Sequence, residues 1–267
     1  MTDRSLAPWL NRITQGDSLE VMRQLPSESV DLVVTSPPYN LLNSTSKSRG
    51  KSGATWRNSK IMKHGYAEWN DNMPHEDYVK WQRENLSEMM RLITHEGAIF
   101  YNHKWRVQGG LMQDRTDILE GFPVRQIVIW DRMGGFNNNV TYFIPMYEVI
   151  YLICKPRFRL AKYGQHLGNI WRIRPDGQNP HPAPFPYEIP SRIIEATNAQ
   201  VVLDPFMGSG TTALAATAHK RDYIGIELSQ TYIDMAEDRL RLPLLDLIDE
   251  EKKRQKKTIG FPMNSDP

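Results

Sequence analysis

Short apolar runs rich in β-branched residues alternate along the chain with segments of three-to-four spacing. This is the pattern of a mostly parallel sheet covered by helices. Strands are predicted near residues 13–16, 31–35, 98–103, 126–130, 148–154, 201–205 and 223–227. Tyr78, Trp81, Asn85, Met89 and Leu92 fall on one helical face, with Gly97 as the expected stop. Their apolar members read as core rather than as ligand contacts. Further helices are expected over residues 106–120, 191–198, 209–219 and 230–242. No helical pattern separates the fourth strand from the fifth, so these two are expected to pair antiparallel through the loop RMGGFNNNVTYFIP. The proline-rich segment PDGQNPHPAPFPYEIP can be neither regular helix nor central strand. It reads as a long connection whose fixed path suits the lining of a ligand site.

Length and composition narrow the setting. With 267 residues and 40% hydrophobic content, the chain can bury one core and sits near the upper end for one domain. The expected organisation is one domain over residues 1–242, loops for recognition at about 41–70 and 132–146, and a charged, flexible tail over 243–267. There is no uninterrupted apolar run of about 18 residues and no secretory pattern at the start, which gives a cytoplasmic expectation. Cys154, the one cysteine, can form neither an intrachain disulfide nor a cysteine-based zinc site and reads as a buried strand residue; no metal site is expected.

The net charge of +2 says little, but its distribution says more. Residues 43–64, NSTSKSRGKSGATWRNSKIMKH, hold Lys47, Arg49, Lys51, Arg57, Lys60 and Lys63 with no acidic residue. A second basic run, EKKRQKK, begins at Glu251 in the tail and reads as solvated.

Two segments carry candidate chemistry. VVLDPFMGSGTTALAATA runs from a buried strand through a glycine turn into a helix. Gly208 and Gly210 let the backbone approach a ligand, and the helix start offers free N–H groups. Glu227, about 20 positions on, is placed to accept hydrogen bonds from ribose hydroxyls. Asp204, expected at the mouth of this site, would repel a pyrophosphate and suits the amino group of a methionine-type cofactor instead. The second segment, VDLVVTSPPYN, drives an apolar strand straight into Ser36, Pro37, Pro38 and Tyr39. Two prolines hold the following carbonyls rigid as acceptors beside an aromatic ring, an arrangement suited to a base amino group.

TSPPYN resembles the catalytic motif [DNS]-P-P-[YFW] of amino-methyltransferases, and LDPFMGSGTT resembles their cofactor motif. With GDSLEVMRQLP near the start and HPAPFP before the cofactor strand, the resemblance covers most of the chain. The catalytic motif precedes the cofactor motif, the circularly permuted order of the β group of DNA amino-methyltransferases, which act on adenine N6 or cytosine N4. The resemblance implies an α/β, Rossmann-like fold: a seven-stranded, mostly parallel sheet with one antiparallel strand and helices on both faces. It implies S-adenosyl-L-methionine as cofactor and double-stranded DNA as partner.

Within that resemblance Ser36 and the Pro37 carbonyl would accept the amino hydrogens, with Pro38 fixing the turn and Tyr39 stacking on a flipped base. Asp17 and Ser18 would lie near the cofactor adenine, and His181 and Phe185 near its methionine end. Many relatives carry a lysine after the His-Pro pair, where this chain has Ala183, Pro184 and Phe185. Asp204, Pro205, Phe206, Gly208, Ser209, Gly210, Thr211, Glu227 and Leu228 complete the implied cofactor set. The Pro-Cys nucleophile of enzymes that methylate cytosine at carbon 5 is missing. Adenine and cytosine both stay open, with a slight lean to adenine. An RNA methyltransferase and a DNA-binding protein that has lost catalysis are the rival readings.

Residues 156–179 are too short for a separate recognition domain, so specificity falls to loops. In the first, the six cations would reach phosphates while Trp56, Arg57 and Asn58 would read or wedge base steps. In the second, Arg132, Asn137, Asn138 and Asn139 are the candidates. A homodimer is expected, as the β group often forms, and a cognate restriction enzyme stays open as a further partner.

Overall fold

The computed structural model describes residues 5–40, 73–108, 110–135, 140–176 and 186–241. Its strands are β1 (Arg12–Gln15), β2 (Val30–Thr35), β3 (Ile93–His103), β4 (Arg106–Gln108), β5 (Leu111–Gln113), β6 (Val124–Asp131), β7 (Tyr147–Cys154), β8 (Ile170–Arg172), β9 (Val201–Asp204) and β10 (Asp222–Glu227). Its α-helices are α1 (Ser18–Met22), α2 (His75–Leu92), α3 (Thr116–Leu119), α4 (Glu188–Glu195), α5 (Thr211–Ala218) and α6 (Gln230–Arg241). Eight strands form one sheet in the order β1-β10-β9-β2-β3-β7-β6-β8, and β4 and β5 form a separate hairpin. β7 runs antiparallel to both β3 and β6, while the other pairings in the large sheet are parallel.

All seven expected strands are present, and β7 is the one antiparallel strand of the large sheet among the described residues. The eighth, β8, is too short to show a period; it is held because Trp171 is buried and the indole of Trp130 donates to the Ile173 carbonyl at 2.7 Å. Alternation sorts the strand residues onto two faces. Val33, Ile99, Tyr101, Tyr151, Leu203 and Ile226 pack under α1, α2 and α3. Leu32, Val34, Phe100, Leu152, Cys154 and Val202 pack under α4 and α5. Helices therefore cover both faces. No helix among the described residues is long and apolar enough to cross a membrane.

Two local expectations are corrected. Residues 106–120 do not form a helix: they build the β4–β5 hairpin, with Gly110 at φ 81°, followed by the single turn α3. Adjacent Gly109 and Gly110 disfavour helix, and Arg115 at φ 67° breaks the chain again before Thr116. Gly97 is not a helix stop, because α2 ends at Leu92 and Gly97 lies inside β3. A Cβ there would come within 2.7 Å of the Ile93 Cβ and 3.1 Å of the Asp31 carbonyl oxygen. The glycine serves a close approach where the β2–β3 register jumps between Val30 and Leu32.

This topology brings the carboxyl ends of β1, β10, β9, β2, β3 and β6 to one edge, together with the amino end of β7. In sheets of this kind ligands bind at that edge.

Candidate active site

The glycine turn leaves β9 at Asp204. Gly208 and Gly210 adopt φ 52° and 81°, in the left-handed region that favours glycine. At Gly210 a Cβ would also stand 2.7 Å from the Cβ of Ala236, so α6 can pack directly on the turn. Arg239 of α6 clamps the same turn, donating to the Ser209 carbonyl, to Ser209 Oγ at 3.0 Å and to Thr211 Oγ1 at 3.3 Å. Ser209 and Thr211 are buried.

Asp204 does not stand at the mouth of the site. It is 2% exposed beneath the turn, where Oδ1 accepts from Thr35 Oγ1 at 2.8 Å and the Phe206 N–H at 3.1 Å, and Oδ2 from Thr212 Oγ1 at 2.7 Å. Burial pushes its carboxyl up to about 6; the bonds from Thr212, Thr35 and Phe206 oppose the shift, and Glu227 adds to it. The β2–β9 pairing brings Thr35 to Asp204, so this carboxylate ties the two candidate segments together.

Glu227 ends β10 half-buried, its two oxygens accepting the Gly208 N–H at 2.7 Å and the Ser229 N–H at 2.9 Å. Asp17 caps α1 through Oδ1, which accepts from the Leu19 and Glu20 N–H groups at 2.9 and 3.1 Å. Ser18 is buried and donates its hydroxyl to Asn85 Oδ1 at 2.7 Å, so its side chain joins α1 to α2. Pro205 is buried; Phe206 and Leu228 are half-buried, and the Phe206 ring lies 5.5 Å from that of Trp81. Ser229 Oγ is buried with no hydrogen-bond partner among the described residues.

The second segment is held from behind. The Pro38 carbonyl accepts from the Tyr78 hydroxyl at 2.9 Å and from Gln82 Nε2 at 3.2 Å, and Tyr101 donates to Gln82 Oε1 at 2.6 Å. His103 Nε2 lies 2.8 Å from the Tyr78 hydroxyl. Burial, reinforced by Arg115, pushes the imidazole down to about 3, so it is neutral. Nδ1 faces the Lys104 carbonyl at 3.2 Å.

In front of this scaffold lies a polar cluster. Ser36 is half-buried and Pro37 buried, and Ser36 Oγ is 2.8 Å from the Tyr39 hydroxyl. Tyr39 is 7% exposed, its ring centroid 4.9 Å from that of His103 and its hydroxyl 3.2 Å from Glu148 Oε2. Asn102 Nδ2 reaches Tyr39 Oη at 2.7 Å, Glu148 Oε2 at 3.1 Å and Ser36 Oγ at 3.3 Å. Glu148 Oε1 pairs with Arg132 at 3.2 Å, and the Arg132 guanidinium lies over the Trp130 ring at 5.7 Å. Arg132, expected to face DNA, is thus tied to the Ser36–Tyr39 segment. Burial lowers the Lys104 amine, Glu148 acting against that and Arg132 and Arg106 with it.

Sequence reasoning missed Asn102, His103, Tyr78, Gln82 and Glu148. For Asn102, His103 and Glu148 the available signal was a polar residue at the end of an otherwise apolar strand, as in IFYNH and YEVIYLIC. Large apolar side chains stand in solvent near the same edge: Val140 and Phe143 at 98% exposure between β6 and β7, and Leu111 and Met112 on the hairpin. His181, Phe185, Lys47, Arg49, Lys51, Trp56, Arg57, Asn58, Lys60, Lys63, Asn137, Asn138 and Asn139 lie outside the described residues.

The family model described as DNA methylase matches residues 30–238. The DNA adenine methyltransferase YhdJ of Escherichia coli strain K12 is 25% identical, over 93% of this chain and 88% of its own length. The structure of TTHA0409 from Thermus thermophilus complexed with S-adenosyl-L-methionine is 26% identical, with a TM-score of 0.60 over 85% of this chain and 92% of that one. The cytosine-N4-specific PvuII DNA methyltransferase shares the fold at a TM-score of 0.65 and 20% identity, covering 90% of this chain and 91% of its own.

Proposed function

The chain belongs to the N6/N4 DNA methylase family, and from that premise we propose that it methylates adenine N6 of a base flipped out of duplex DNA, using S-adenosyl-L-methionine. The observation that carries the reading is the half-buried Ser36 hydroxyl just past the end of β2, joined to Tyr39 and Asn102, through them to Glu148, and linked through Thr35 and Asp204 to the glycine turn.

An exocyclic amino nitrogen shares its lone pair with the ring and is a weak nucleophile. Ser36 and the Pro37 carbonyl would accept its hydrogens and draw that pair back onto nitrogen. Tyr78 and Gln82 occupy the Pro38 carbonyl, which fixes the diproline and with it the neighbouring carbonyl. Tyr39 would stack on the flipped base.

The residues present fit the methyl donor, whose sulfonium supplies an electrophilic methyl group. Glu227 holds two backbone N–H groups, and a carboxylate with about four lone-pair sites can accept ribose hydroxyls as well. Asp17 uses only Oδ1 as cap, leaving Oδ2 for the adenine amino group. Phe206, with Trp81 beside it, offers an aromatic wall. Asp204, Ser209, Gly210 and Thr211 act mainly by shaping the turn. His181 and Phe185 keep their proposed place at the methionine end.

Digestion of methylated DNA to nucleosides, followed by mass measurement, is expected to yield N6-methyl-2′-deoxyadenosine. Ser36→Ala is expected to lower the rate about 10²- to 10³-fold while leaving cofactor affinity intact, as for loss of one transition-state contact. Cytosine N4 is the second reading, favoured by serine at the head of the motif; N4-methyl-2′-deoxycytidine in the digest would establish it. Transfer to RNA and not to DNA would overturn both.

A further inference from the structure

We propose that Glu148 is a positioning residue for the transfer step, setting the direction of the hydroxyl chain that ends at Ser36. The inference rests on the SPPY segment being the catalytic one.

Glu148 lies at the start of β7, paired in register with Trp130 of β6, and is 7% exposed. A carboxylate so placed needs partners. Among the described residues these are Arg132 at Oε1, and Tyr39 and Asn102 at Oε2. A carboxylate paired with an arginine only accepts. The Tyr39 hydroxyl therefore points its hydrogen at Glu148, and Asn102 donates to Tyr39 and Glu148. With its hydrogen so committed, the Tyr39 oxygen takes the Ser36 hydrogen across 2.8 Å. Ser36 then presents lone pairs, not a hydrogen, to an arriving amino group. The Ser36–Tyr39 pair alone has no such preference, since either oxygen can be the donor.

The same carboxylate reaches beyond the cluster. Arg132 is the first residue after β6 and its N–H donates to the Met146 carbonyl at 2.8 Å, closing the base of the β6–β7 connection. Glu148 therefore anchors that base to the catalytic hydroxyls, and a change there is felt at Ser36.

Glu148→Gln keeps size and shape but introduces a donor facing Tyr39, which lets the chain reverse. Expected for this variant are a kcat about tenfold lower, less than loss of a direct contact, a lower melting temperature because Arg132 loses its counter-charge, and unchanged calorimetric affinity for S-adenosyl-L-methionine. Glu148→Asp keeps an acceptor and should recover part of that kcat. A Glu148→Gln enzyme with kcat within twofold of wild type, alongside an inactive Ser36→Ala, would overturn the inference and leave the proposed function standing. An active Ser36→Ala would remove the catalytic assignment and this inference together. If Glu148→Gln fails to fold, Glu148→Asp and Tyr39→Phe decide. Wild-type kcat in folded Tyr39→Phe, which has no hydroxyl to relay direction, would overturn the inference; a loss confined to kcat with partial activity in Glu148→Asp would support it.

Discussion

At Asp204 a carboxylate is kept almost out of water by two threonine hydroxyls and one backbone N–H. Because burial raises its pKa from 3.8 to about 6, the folded state binds the extra proton more readily than the unfolded one. The associated stability is present below 3.8 and lost as pH rises through about 6. The stability difference between wild type and Asp204→Asn should therefore shrink or reverse as pH rises across that window, which urea midpoints at successive pH values will read. At neutral pH Asp204→Ala is expected to cost about 1–3 kcal/mol, since it leaves Thr35 and Thr212 without their acceptor, and to weaken cofactor binding. A pH-independent difference would show that the carboxyl is not buried as described. His103 has the opposite sign: its stability is present above 6.5 and lost as pH falls toward about 3, so the two slopes must be separated by variants.

Among the elements, α2 was legible because 18 residues repeat the helical period several times, and Tyr78, Asn85, Met89 and Leu92 are indeed on its buried face, while Trp81, also expected there, is half-buried against Phe206. The β4–β5 hairpin was not, since strands of three residues leave no period to detect. The glycine turn was recognisable as a turn, but α6 packing on it was not. Gly210→Ala should cost about 1–3 kcal/mol for the positive φ, with more from the contact with Ala236. Chemical denaturation will measure this; a variant as stable as wild type would mean that the turn relaxes freely. A lower cofactor affinity is expected with it.

For the whole molecule, duplex recognition is assigned, as a proposal, to the basic segment 43–64 and the β6–β7 connection. Neutralising Lys47, Arg49, Lys51, Arg57, Lys60 and Lys63 together should flatten the salt dependence of DNA binding, each lost phosphate contact lowering the slope by about 0.9. An unchanged slope would move DNA recognition elsewhere. A homodimer is expected to share the duplex, and sedimentation of the free protein at assay concentration will test it; a monomer active in single-turnover assays would refute the need for a second copy. The sequence by itself determined the sheet, most of its strands and both motif segments, because each depends on residues within about ten positions of one another. Only the tertiary structure decided that Asp204 is buried, that Ser18 faces Asn85 and that Glu148 meets Tyr39. Glu148 and Tyr39 are 109 positions apart, and the pairing of β7 between β3 and β6 brings them together. Such register is set by which apolar faces find each other on collapse, a non-local property that no local pattern encodes.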